Sequence, residues 1–140
     1  MSDRYRAVHI SDIPSAEEPG TNDRDWKPVR IFFDIRSFGT NAYVARKKDD
    51  VLVGEHTETD TKHEELFYVA SGAARFTIDG DEVDAPVGTF VYVRDPGVDR
   101  GAVAEADGTT VVVVGGTPGE AFDVSQWELK WVSRVGASGD

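Results

Sequence analysis

The stretch from Glu65 to Pro86, ELFYVASGAARFTIDGDEVDAP, constrains the fold more than any other part of the chain. Two strand-like runs, Glu65 to Ala70 and Ala73 to Ile78, are separated by Ser71-Gly72 alone, and a two-residue connection containing glycine predicts a primed hairpin turn. That register sets Ala70 against Ala73, Tyr68 against Arg75, Phe67 against Phe76 and Glu65 against Ile78. Side chains alternate with period two, so one face carries Phe67, Val69, Ala74, Phe76 and Ile78, and the other carries Leu66, Tyr68, Arg75 and Thr77. Asp79-Gly80 predicts a second hairpin, which adds Val83 and Ala85 to the apolar face and sets Asp84 opposite Arg75.

One charged residue breaks the apolar face. Glu65 opens it, and His63, two residues earlier, lies on the same side. Burying an unpaired carboxylate is costly, so such a group is paired, metal-bound or placed at a water-filled mouth. A half-solvated strand end is the alternative.

The rest of the chain is strand-like from Val29 onward: VRIFFDI, TNAYVAR, a KKDD turn, VLVG, then TFVYVR, GAVAEA, a turn at Asp107-Gly108, and TTVVVVGG. Short strands at this spacing, with no amphipathic helical period between them, predict an all-β barrel or sandwich. The run Val111 to Val114 does not alternate, as expected of a strand covered on both sides. At 140 residues the chain makes one domain, divided into an N-terminal arm over 1–27, a barrel over 28–128 and a tail over 129–140. Residues 4–10 form a short edge strand in this scheme, and Trp26 pins the arm. Across the end of the barrel and the start of the tail, Trp127, Leu129 and Trp131 alternate and would pack on the barrel or on a second subunit.

Composition narrows the partners. The formal charge is −11, from 26 acidic against 15 basic residues, and no basic run offsets it, which makes a poor binder of nucleic acid or anionic membrane. The absence of cysteine removes disulfides, thiolate ligands and thiol catalysis. No apolar run approaches the ~18 residues of a membrane span, and MSDRYRAVHI lacks the apolar core of a signal peptide, so a cytoplasmic protein is expected.

The central residues resemble the cupins, small double-sheet jelly-roll barrels, over roughly Arg30 to Glu128. The first cupin motif is G-x5-H-x-H-x3,4-E-x6-G, and ELFYVASG matches its second half, with Glu65 in the place of the motif glutamate and Gly72 at the required spacing. The second motif, G-x5-P-x-G-x2-H-x3-N, resembles Gly88 through TFVYVRDPGVDR, with one residue more than the pattern. The resemblance departs at the metal ligands. Counting back from Glu65 places the paired histidines at Glu58 and Asp60, with His56 and His63 offset to either side, and the histidine of the second motif falls on Arg100. The chain has three histidines in all, and His9 is remote, so the family's set of three histidines and a glutamate does not carry over intact.

Two site readings follow. In the first, His56, Glu58, His63 and Glu65 form a non-standard site for one divalent transition metal such as Zn, Mn, Fe or Ni, with positions open to substrate. In the second, the metal site is lost, and Arg100 enters the barrel to pair with Glu65 or to hold an anionic ligand. If the protein is an enzyme, Glu65 and His63 would share proton transfer. Phe67, Phe76, Tyr43 and Tyr92 would line a small-molecule cavity, and the resemblance with the aromatic tail implies a homodimer. The resemblance leaves open whether the barrel is catalytic or is a sensor or structural dimer, because one barrel hosts many chemistries.

Overall fold

The computed structural model describes residues 4–16 and 24–123. Among these described residues, nine strands form two antiparallel sheets facing each other: β1 (Arg24–Lys27), β2 (Gly39–Ala45), β9 (Thr110–Gly116), β4 (Glu64–Ser71) and β7 (Phe90–Val93) in that order, and β3 (Val51–His56), β8 (Arg100–Ala104), β5 (Ala73–Ile78) and β6 (Asp81–Pro86) opposite. This is the expected jelly roll. Trp127, Leu129 and Trp131 lie outside the described residues. Within those residues, no helix is long and apolar enough to cross a membrane.

The face assignment around Glu65 holds, but the first hairpin does not. β4 pairs with β9 and β7, while β5 pairs with β8 and β6, so Ser71-Gly72 turns a corner between sheets and the register Ala70–Ala73 does not form. Phe67 and Phe76 still meet, edge to face with ring centroids 5.4 Å apart, but across the core and not along a ladder. Gly72 makes the corner possible. Its φ is +71°, and a Cβ there would lie 2.8 Å from the Thr109 Cα, so both backbone conformation and space demand glycine. The second hairpin is as expected, with Ile78 opposite Asp81 and Arg75 opposite Asp84. Asp79 and Gly80 both have positive φ, 51° and 89°, the signature of a type I′ turn. Arg75, however, pairs with Glu105 at 2.9 Å and not with Asp84.

Three other expectations change. VRIFFDI is not a strand: Val29–Phe33 forms a short helix, α1, ended by Asp34 at φ 57°, whose N–H bonds back to the helix carbonyls. Pro28 presets the backbone at its entrance, and Ile31 and Phe32 are buried. Residues 4–10 form no edge strand, and a 3-10 turn follows at Ile10–Asp12; only Ala16 bridges to Trp26, which is itself fully buried in β1. Finally, Val111 and Val113 are buried while Val114 is exposed, so β9 alternates and is covered on one side.

The core between the sheets includes Trp26, Leu52, Phe67, Val69, Phe76 and Val111. Fully burying an aliphatic or phenyl side chain contributes about 1.5–3 kcal/mol, and this layer is what fixes the positions of the polar groups at the other end of the barrel.

Candidate functional site

Three inward-pointing rows cross the first sheet, and their side chains become smaller and more polar toward one end. β2, β9 and β4 contribute Tyr43–Val111–Val69, then Asn41–Val113–Phe67, then Gly39–Gly115–Glu65. The two glycines let Phe122 and Glu65 close directly against the sheet. A Cβ on Gly115 would lie 2.8 Å from the Glu64 carbonyl and 3.1 Å from Glu65 Cγ, and one on Gly39 would meet the Phe122 ring at 2.8 Å. A cavity of about 930 Å³ lies beside this row, between the sheets.

Glu65 is paired inside the barrel. Arg100 is completely buried and donates to Glu65 Oε1 at 2.7 Å, to the Val98 carbonyl at 2.9 Å and to the Asp95 carbonyl at 3.1 Å. All three acceptors hold the guanidinium in one orientation, and it does not line the cavity. Glu65, whose side chain is 14% exposed, does line it. Its carboxyl is pushed above the ordinary 4.5 by burial and by the nearby Glu58 charge, which outweigh the Arg100 bond.

His56 is aimed into the cavity by a bulge. Between the pairs Val53–Ala102 and His56–Arg100, β3 has two residues and β8 has only Gly101, whose Cα approaches so closely that a Cβ would sit 3.2 Å from the Glu55 Cα. The extra residue bends the strand and turns the following side chain. The His56 Nδ1 donates to the Gly54 carbonyl at 2.7 Å, which leaves Nε2 facing Glu58 at 2.8 Å. Its pKa is raised above 6.5, first by that hydrogen bond to Glu58.

The loop between β3 and β4 is folded back over the site, with Glu58 and Thr61 turned inward while Thr57, Thr59, Asp60 and Lys62 stay exposed. The Glu58 N–H donates to the Pro96 carbonyl at 2.8 Å and its carbonyl accepts from Lys62 at 2.7 Å; Thr61 donates to Glu58 Oε1 at 2.5 Å, and Thr117 ties the loop to the end of β9 at 2.8 Å. Burial works to raise the Glu58 pKa, but the bonds from His56 and Thr61 prevail and lower it below 4.5.

The ligand atoms of His56, Glu58 and Glu65 all fall within 4.8 Å of one another. His63 stands just outside this group: its Nδ1 is 3.6 Å from Glu58, and its ring stacks at 5.7 Å on Phe122. Among the expected ligand contacts, Tyr43 and Phe67 line the cavity. Phe76 is wholly buried in the core beneath it. Tyr92 is on the outer face, 48% exposed and bonded to Glu64, because it shares parity with Leu66 and not with Glu65. Asn41, Gly39, Gly115 and Phe122 belong to the site and were not singled out by the sequence. Their signal was parity: Gly39 and Asn41 alternate in step with Tyr43.

The likeness to known structures is extensive. A predicted oxalate decarboxylase from Thermotoga maritima superposes with TM-score 0.63 at 14% identity, covering 80% of this chain and 99% of that one. KdgF from Halomonas sp. gives 0.61 at 14%, covering 79% and 88%. A cupin-superfamily sugar phosphate isomerase from Silicibacter pomeroyi gives 0.61 at 17%, covering 79% and 75%. No family model and no curated protein matches the sequence. At these identities the likeness is one of fold, and the chain has the cupin fold.

Proposed function

We propose that the protein binds a small polar molecule in the open end of its barrel, beside a divalent cation held by His56, Glu58 and Glu65. The convergence of these three side chains on one cavity carries the reading. Two carboxylates close enough to raise the pKa of one of them repel each other, and a cation between them relieves that repulsion. The donor set also fits: one imidazole with its far nitrogen anchored to a backbone carbonyl is oriented as metal-bound histidines are, and mixed N,O ligation suits Mn, Zn, Fe or Ni. Glu65 keeps one oxygen for Arg100 and has one to offer. A bound cation would act as a Lewis acid on a ligand oxygen.

The chain's own groups define the rest. Thr61 and the Glu58 backbone bonds fix the loop, Gly39 and Gly115 let Phe122 and Glu65 pack against the sheet, and Phe122 with His63 covers one side of the cavity. The neighbours named as a sugar phosphate isomerase and a predicted oxalate decarboxylase act, by those names, on small polar molecules, which supports the same class here.

A second reading is favoured by the Glu65–Arg100 pair, since a completely buried guanidinium already neutralises the glutamate; there, the cavity binds its ligand without metal. Isothermal titration of chelator-treated protein with Mn²⁺ and Zn²⁺ separates the two. One site per chain, lost in Glu58→Gln and His56→Ala, is expected; no stoichiometric binding of either ion would leave the metal-free reading. We also propose a homodimer through the outer face of the first sheet, where Leu66, Phe90, Tyr92 and Val114 are exposed; a monomeric mass in light scattering would oppose it.

A further inference from the structure

One buried polar atom in the cavity is unused by the cation group and by the Glu65–Arg100 pair. Asn41 is 8% exposed, lines the cavity, and its side-chain oxygen has no hydrogen-bond partner. Nothing in the packing requires an amide there: its row neighbours on the sheet are Val113 and Phe67. Leaving such an oxygen without a donor costs stability that an apolar residue of the same size would not cost. Proteins carry costs of this kind where a ligand relieves them.

The position of Asn41 says what the ligand must bring. It stands one inward row (about 7 Å) along and two strands (about 10 Å) across from Glu65, so a molecule lying over Val113 reaches both. A carbonyl oxygen only accepts, so the group that meets it must be an O–H or N–H. The charge around it is negative even with Glu65 set against Arg100: Glu55, Glu58, Asp60, Glu120 and Asp123 share the lining with one guanidinium, Arg24, and the imidazoles of His56 and His63. Arg100, the other nearby cation, is spent on Glu65.

Building on the cavity as a binding site, we infer that Asn41 is its specificity-determining anchor, accepting a hydrogen bond from a hydroxyl or amino group of a neutral or cationic polyol. Carboxylate-bearing molecules of the same skeleton are disfavoured by the acidic wall.

Glucosamine, glucose and glucuronate share one ring skeleton and differ in charge, so they serve as probes on the full chain, both chelator-treated and loaded with Zn²⁺. Amide chemical-shift titration reads both affinity and location. Glucosamine and glucose are expected to shift the amides of Gly39, Val113 and Gly115, with glucuronate at least about tenfold weaker. Asn41→Leu is expected to weaken the first two about tenfold or more while raising the melting temperature by roughly 3–6 °C, because the orphaned oxygen is gone; Asn41→Val replaces it if leucine is too large. An amide that merely holds the fold predicts the reverse. A lower melting temperature with the same cavity shifts in the variant would overturn the role of Asn41 and leave the cavity reading intact. Preference for glucuronate would overturn the polyol class. Shifts confined to amides outside the cavity, or no shifts with any probe, would overturn the cavity reading and this inference with it.

Discussion

The two ends of the barrel are built on the same strands and differ only in what their inward positions carry. At the closed end Leu52, Val69, Ala74, Ala85, Ala104 and Val111 are almost wholly buried. At the open end the same β2, β9 and β4 bring Gly39, Asn41, Gly115 and Glu65 inward, and space and charge replace contact. The closed end holds the sheets in register; the open end depends on that register, because His56, Glu58 and Glu65 come from different elements and meet only if β3, the loop and β4 are all correctly placed. Function here is a local withdrawal of packing from a fold that the other end keeps stable.

The largest effects should come from single truncations, and they should differ in whether they can be repaired. Phe76→Ala opens a hole under the packed end and is expected to cost about 3–5 kcal/mol in urea unfolding. Arg100→Met strands Glu65 and is expected to cost a similar amount, about 3–5 kcal/mol. Adding Glu65→Leu to Arg100→Met should recover most of that loss, since a buried ion pair exchanged for apolar groups is often neutral. Failure of the double variant to recover would mean that the two ends are stabilised alike.

A smaller effect is expected at the glycine that lets β4 and Glu65 approach β9. Gly115→Ala forces a Cβ to within 2.8 Å of backbone and should cost about 1–3 kcal/mol, whereas Gly54→Ala, whose Cβ would meet nothing within 4 Å, should stay within about 0.5 kcal/mol. Equal losses at both positions would remove the argument that Gly115 is selected for space.

The smallest effect is the pH dependence, and it belongs to the open end alone. His56 has a folded pKa above 6.5 because of Glu58, so its stabilisation is complete below 6.5 and fades as pH rises through the higher folded value. Glu58 is shifted down from 4.5, so its share is present above 4.5 and fades on acidification through the lower folded value. Glu65 runs the other way: shifted up from 4.5, it favours the fold at low pH and opposes it once ionised. Stability should therefore fall between pH 6.5 and mildly alkaline pH, and His56→Gln should flatten that fall. An unchanged slope in the variant would place the titrating group elsewhere.

The sequence revealed the closed end more readily than the open one, for physical reasons. Period-two alternation identified Phe67, Val69, Ala74 and Phe76 as inward whichever strands they pair with, so the faces survived although the Ser71-Gly72 hairpin did not; a sheet-switching corner and a hairpin turn ask for the same glycine. VRIFFDI became a helix because five residues are too few for a period to declare itself. At the open end Glu65 was legible as a charge on an apolar face, and Glu58 as the residue occupying the motif histidine's place. The pairing of Arg100 with Glu65 was one of two readings of the same residues. Asn41 was legible only through its parity with Tyr43 and Gly115 not at all, since its meaning lies in a neighbour that arrives from a distant part of the chain, and Tyr92 pointed outward because the register of β7 is set by β4 alone.

Mn²⁺ added to isotopically labelled protein tests the central claim most directly, by paramagnetic broadening of amide signals. The account predicts that at substoichiometric Mn²⁺ the amides of His56, Glu58, Glu65 and Gly115 broaden first while those of Val69, Ala104 and Val111 remain sharp, and that Glu58→Gln abolishes the pattern. Broadening that begins at exposed acidic residues away from the cavity, or that reaches both ends of the barrel together, would contradict it.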